Sequence, residues 1–323
     1  MSTITVSSSA ALNVALKVAK AGDSILLNPG TYTGVGLNGL QVNGTVTVRS
    51  ADLDHPAVLT GIGIRNSSGF SFEHVEINAV PGLSEKTGVI GIDGSKNISF
   101  DHVYVHGTLN GDASDDLPGI RIKLSSDITV TNSEFRQLFQ AVSFGGNNNV
   151  TISGNLVHEI RQDGFRGYDT SNLTISDNYL TNFQKVGTEH ADGIQIYTGS
   201  YGPAHDIRII GNVIIQGDGA EVQGVFIRDD SSSLKNVEIS GNLVAGATLN
   251  GIAVSGINGL VMDSNSVVSR TGELSWLSVK TSTDAIVTNN DALRFILSGD
   301  MVQANNELNL TNGSEGAVLQ DWL

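Results

Sequence analysis

Ile152-Ser-Gly-Asn155-Leu-Val, Ile175-Ser-Asp-Asn178-Tyr-Leu, Ile209-Ile-Gly-Asn212-Val-Ile, Ile239-Ser-Gly-Asn242-Leu-Val, Met262-Asp-Ser-Asn265-Ser-Val and Val287-Thr-Asn-Asn290-Asp-Ala repeat one pattern along the chain. Its Asn returns after 23, 34, 30, 23 and 25 residues. Phe72-Glu-His-Val75, Phe100-Asp-His-Val103 and Val130-Thr-Asn-Ser133 hold the same place upstream with the Asn replaced. A second in-phase segment precedes these: Ile90-Gly-Ile-Asp93, Ile120-Arg-Ile-Lys123, Val142-Ser-Phe-Gly145, Phe165-Arg-Gly-Tyr168, Ile194-Gln-Ile-Tyr197, Val225-Phe-Ile-Arg228 and Ile252-Ala-Val-Ser255. Each alternates with period two, apolar at its first and third positions, as a half-buried strand does. Short strands at such a period cannot bury a face alone and must stack on their neighbours.

The expected fold is therefore all-β, a single-stranded right-handed parallel β-helix (solenoid) of roughly nine to eleven coils with rungs about 4.8 Å apart. Gly119, Gly164, Gly193, Gly224 and Gly251 stand directly before the second set of strands, where glycine is expected to give a sharp corner its backbone freedom. The recurrent Asn is expected to bond its own corner and the Asn one coil up, a structural ladder rather than a site. The ends of a solenoid need covering. Ser9 to Lys20 has the pattern of a short amphipathic capping helix with a Ser cap, broken at Gly22. One domain is expected over 1–323, with an N-terminal cap over about 1–34, coils over about 35–310, and a C-terminal cap or tail over about 305–323.

With 18 Lys+Arg against 33 Asp+Glu the net charge is −15. This disfavours nucleic acid as a partner. No run approaches the roughly 18 apolar residues of a membrane span, so no membrane partner is expected. The absence of Cys rules out disulfides, thiolate nucleophiles and zinc-thiolate sites. Met1–Ser9 lacks the pattern of a signal peptide.

Function has to come from the outward second and fourth strand positions, which stacking sets in two adjacent columns. They read Gly91/Asp93, Arg121/Lys123, Ser143/Gly145, Arg166/Tyr168, Gln195/Tyr197, Phe226/Arg228 and Ala253/Ser255. A cationic, aromatic-lined groove on an acidic body suits an extended acidic polysaccharide, because Arg forks onto a carboxylate while rings meet sugar faces. The corner segments Arg161-Gln-Asp163-Gly and Glu189-His190-Ala-Asp192-Gly lead into the groove, adding Asp163 and Asp192 as substrate-binding candidates and His190 as the one histidine beside that face. Long repeats imply loops at Gly199–His205 and Asp229–Lys235, expected as a wall of the cleft. Asn110-Gly-Asp112-Ala-Ser-Asp115-Asp116 and Asp229-Asp230 make Ca²⁺ the one cofactor to consider, although neither forms a complete calcium loop.

Ala21-Gly-Asp-Ser-Ile-Leu-Leu-Asn-Pro-Gly-Thr-Tyr32, with the helix before it, resembles the N-terminal cap and first strand of right-handed β-helix proteins of the pectate-lyase type. That resemblance covers nearly the whole chain and implies a polysaccharide-active protein, extracellular in setting. The Ile120-Arg-Ile-Lys123 string is similar to a motif of polygalacturonase-type hydrolases, whose other acidic and Gly-His-Gly motifs are missing here. Asp163-Gly-Phe-Arg-Gly-Tyr-Asp-Thr-Ser-Asn-Leu-Thr-Ile175 is similar to the segment carrying the catalytic residues of mannuronan C5-epimerases, with Arg166 and Tyr168 where that family has Asp and His. Hydrolysis needs two opposed carboxylates, and the columns offer only Asp93. The expectation is a polysaccharide lyase cleaving a uronate-containing glycan by β-elimination. Its alternatives are a C5-epimerase and a non-catalytic adhesion module of the tail-spike kind. Tyr168, His190, Arg166 and Lys123 are the expected catalytic residues, Tyr168 and His190 as the proton-transfer pair and Arg166 with Gln195 as the carboxylate clamp. Arg121, Gln195, Tyr197, Phe226 and Arg228 are expected to bind substrate. A monomer is expected, with a trimer as the alternative.

Overall fold

Three parallel strands per coil, repeated along the chain, build the body of the computed structural model, which describes residues 1–80, 87–231, 233–270 and 273–308. It is a right-handed parallel β-helix. The groove sheet contains Ile90–Asp93, Ile120–Lys123, Val142–Gly145, Phe165–Tyr168, Ala191–Tyr197, Val222–Arg228 and Leu249–Ser255, each pairing with the next in register. The other two sheets follow around each coil, as in Ser126–Thr131 and Glu134–Arg136. Inside, Ile122, Phe144, Ile196, Ile227 and Val254 form one stacked column, with Gly167 between Phe144 and Ile196. A Cβ on Gly167 would lie inside the Phe144 ring, so the ring takes the volume that the glycine leaves.

The Asn ladder forms as the repeats predict. Asn155, Asn178, Asn212, Asn242, Asn265 and Asn290 each donate from Nδ2 to Oδ1 of the next, at 2.8–3.0 Å, and the run continues into Asn306. Each Nδ2 also reaches a main-chain carbonyl, as Asn178 does to Ile152 O at 3.0 Å. The residue just before each Asn takes positive φ, which is why Gly, Asp, Ser and Asn recur there and why His74 and His102, at φ 50 and 51, fill the same corner upstream. A second ladder that mixes hydroxyls with one amide, Ser67, Ser95, Ser125, Asn147 and Thr170, runs up another corner.

The corner glycines have a different cause from the one expected. None of Gly119, Gly164, Gly193, Gly224 and Gly251 has positive φ. They are glycine because the next coil presses on them: a Cβ on Gly193 would stand 2.7 Å from Ile214 Cδ1 and 3.0 Å from Gly224 O. At the N-terminal end Ser8 caps a helix over Ser9–Val18, whose Leu12 and Leu16 close the core. The helix stops two residues short of Lys20, because the Asp23 carboxylate accepts from Lys20 N at 3.0 Å and from Ser2 N at 2.7 Å. Of the expected C-terminal cap or tail, residues 309–323 lie outside the described residues. Among the described residues no helix is long and apolar enough to cross a membrane.

Candidate active site

Where coils of the groove sheet carry Arg121/Lys123, Ser143/Gly145 and Arg166/Tyr168 in register, the sheet opens into a cleft of about 540 Å³. The small middle rung makes the floor. Tyr168 leans over Gly145, whose added Cβ would stand 2.6 Å from Tyr168 Cζ. The Tyr168 ring stacks on Tyr197 at 5.6 Å and on Tyr201 at 5.8 Å, so the expected loop wall reaches the cleft through Tyr201. Asp169 pins that loop by accepting from Gly199 N at 2.8 Å and Tyr201 N at 2.7 Å. The opposite wall is the inserted loop around Asp112 and Asp116, tied down by Arg161, which donates from Nη1 to Ser114 O at 3.1 Å and forks onto Glu189 at 2.8 and 3.0 Å. This fork holds the Glu189 carboxyl below its usual range.

Arg121, Lys123, Arg161 and Arg166 all line the cleft, against Asp116 and Glu189. Beyond Arg121 and Lys123 the groove runs on into a smaller trough of about 360 Å³, floored by Gly63 and Gly91 and flanked by Arg65 and Asp93. Gln195, Phe226 and Arg228 extend the columns the other way and do not line the cleft. There Arg228 faces Asp230 at 2.9 Å in the open.

Beneath Arg166 lies a feature that the columns do not reveal. Asp163 and Asp192, on consecutive coils and each about 1 % exposed, sit together, with Asp192 N donating to Asp163 Oδ1 at 3.2 Å. Arg166 Nη1 donates to Asp163 Oδ2 at 3.4 Å and to Gln162 Oε1 at 3.1 Å, while its Nε donates to the Tyr197 hydroxyl at 3.2 Å. Gln140 reaches Asp163 and Gln195 reaches Asp192. Asp192 Oδ1 is buried and has no hydrogen-bond partner among the described residues. Burial raises Asp163 to about 6 against the pull of Arg166, and burial with the Asp163 charge raises Asp192 to about 7. Buried in this way, Asp163 and Asp192 do not meet substrate as expected but stand behind Arg166, and Asp93 is not the only carboxylate near the groove.

The raised values have a thermodynamic sign. Both groups bind protons in the folded chain that the unfolded chain, near 3.8, releases, so their contribution is full at low pH and is lost as pH rises from about 4 to about 7. Melting temperature is expected to fall across that window, and Asp192→Asn to melt about 3 °C or more above the parent at neutral pH with a flatter profile. Thermal melts at stepped pH check this. Carboxylates held down by hydrogen bonds, such as Asp263, titrate below the window and do not mask it.

The proposed pairing of Tyr168 with His190 needs correction. His190 is 66 % exposed, 3.6 Å from Asp192, and lines a separate hollow with Lys185 and Glu221. Tyr168 is not poised as a base either: burial, then the neighbouring Tyr201 and Tyr197, push its hydroxyl above the ordinary value. The carboxylate clamp is likewise altered, since Gln195 turns to Asp192 and Arg166 already spans Asp163 and Tyr197. Among the described residues no group of three or more His, Asp or Glu side chains converges as a metal site. Asp112 caps its own loop through Ser114 N at 2.9 Å, and Asp229 caps its loop through Ser231 N at 2.8 Å and Leu234 N at 2.6 Å.

The family model described as right handed beta helix region matches residues 60–292. Pectate lyase C of Dickeya chrysanthemi is 24 % identical over 194 residues, 56 % of this chain and 48 % of that protein, so the chain spans about half the length of this curated relative. Among solved structures, the surface adhesin PfbA of Streptococcus pneumoniae matches at TM-score 0.55 with 14 % identity, covering 92 % of this chain and 91 % of that one. The lacto-N-biosidase of Eubacterium ramulus matches at 0.55 with 12 % identity, covering 94 % and 68 %. The Dettilon tailspike protein matches at 0.53 with 14 % identity, covering 92 % and 59 %. At these identities the structural likeness is one of fold.

Proposed function

Since the chain belongs to the right-handed β-helix family, whose fold leaves chemistry to the outward side chains, we propose that it is a polysaccharide lyase that cleaves an acidic, uronate-containing glycan by β-elimination in the Arg/Lys cleft. The observation that carries this reading is electrostatic. Three arginines and Lys123 line one cleft of a chain with net charge −15, where among the described residues Glu189 answers Arg161, Asp163 lies beneath Arg166, and Asp116 stands alongside. Low-dielectric walls strengthen that local field. In the elimination, the C5–H bond breaks, its electron pair forms the C4–C5 double bond, and the C4–O bond breaks with its pair leaving on oxygen. Arg121 and Arg166 stabilise the uronate carboxylate while charge builds on it. Lys123, which has no carboxylate in ion-pair reach among the described residues, is assigned to take the C5 proton on the lone pair of its neutral amine, becoming an ammonium as the C5–H bond breaks. Tyr168, Tyr197 and Tyr201 offer an aromatic wall to the sugar rings.

Hydrolysis is the second reading, and the buried Asp163–Asp192 pair with Asp116 is the observation that favours it. One assay separates the two. On incubation with polygalacturonate and with alginate, new ultraviolet absorbance from a conjugated unsaturated uronate is expected. Reducing ends without that absorbance would mean hydrolysis, and retention of the polymer with neither product would mean an adhesion module. A polymer of this kind is met outside the cell, and that is the proposed setting of the protein.

A further inference from the structure

Asp116 stands on the inserted loop, just after a short helical turn over Ala113–Asp115, and faces the cleft alongside Arg121 and Arg166. It is only 6 % exposed. Its Oδ2 is buried and takes no hydrogen bond among the described residues. An ionised carboxylate left so would cost far more than a neutral one. We propose that Asp116 is the acid that protonates the departing glycosidic oxygen. This rests on the reading that the cleft cleaves a glycan, but not on the route, because elimination and hydrolysis both expel that oxygen.

The step balances simply. The O–H bond of Asp116 breaks as the proton bonds to the glycosidic oxygen, which receives the electron pair of the breaking C–O bond. Asp116 is left as a carboxylate and regains its proton from water. The surroundings hold that proton in place. Burial first, then the charge of Asp115, push the carboxyl up to about 7, with Asp112 and Glu159 adding to the push and Arg161 opposing it. A donor with a value near the working pH is protonated often enough to act and acidic enough to give. Arg161 also fixes the loop by its bond to Ser114 O, so the acid is presented by a tethered wall.

The test uses Asp116→Asn, close in shape and unable to donate. With the polymer that the parent cleaves, turnover is expected to fall about 10²–10⁴-fold while retardation in a gel containing that polymer stays unchanged. Parent turnover should fall as pH rises through about 7, where the proton is lost, and the variant should lack that limb. A synthetic uronate whose departing group is nitrophenolate needs no proton, so on it the variant should approach the parent. Unchanged turnover of the polymer by the variant, or an equal loss on both substrates, overturns the donor while leaving the proposed reaction standing. A parent that cleaves no acidic glycan overturns both.

Discussion

Ile196→Asp is expected to leave no folded protein at physiological temperature. Ile196 is 2 % exposed and sits in the interior column between Gly167 and Ile227. Losing the buried aliphatic side chain costs about 2–5 kcal/mol, and an unpaired carboxyl in that place adds a few more. The sum is comparable with the whole stability of an ordinary domain, about 5–15 kcal/mol. Ser255→Asp, on the outward column one residue from the interior Val254, should melt like the parent. Circular dichroism melts of the two variants check the register: a soluble Ile196→Asp protein with parental melting would contradict it.

Replacing Arg121 and Lys123 together with Ala is expected to weaken binding of an acidic polysaccharide by at least about 100-fold, since hydrogen bonds to charged groups contribute about 1.5–3 kcal/mol each. Melting should hardly move, because cations at an open groove add roughly 0–1 kcal/mol to stability. The binding that remains should also depend less on salt, since part of the screened attraction has been removed. Affinity electrophoresis of parent and double variant, at low and high ionic strength, reads both effects. Equal retention of acidic and neutral polymers by the parent would contradict the electrostatic account.

The columns were legible from the chain because stacking preserves phase. Once Ile120-Arg-Ile-Lys123 and Ile194-Gln-Ile-Tyr197 are set in register, every outward neighbour follows. The Asn ladder was legible for the same reason. What lies at the corners was not. Asp163 and Asp192 have the local sequence of turn-capping residues, and only closure of consecutive coils under Arg166 turns them into a buried pair. Asp116 has the look of a solvated acidic loop, and its burial depends on Arg161, forty-five residues on, pulling that loop down. His190 precedes the groove strand in sequence, yet its side chain leaves toward Lys185 and Glu221. Tyr168 stands in the outward column as the register requires, but its hydroxyl is raised by burial first and then by Tyr201, from a loop whose path no period predicts.

The Asn chain also has a direction. From Asn155 to Asn290 every amide gives a proton toward the C-terminal neighbour, with Asn306 as the final acceptor, so the dipoles add and polarise one another in one sense. A finished coil therefore ends in a donor without an acceptor until the next coil arrives. During synthesis the N-terminal coils emerge first, each presenting the handhold that the following Asn oxygen satisfies. The satisfaction of each rung's ladder donor therefore hangs on the rung that follows it, not on the one before.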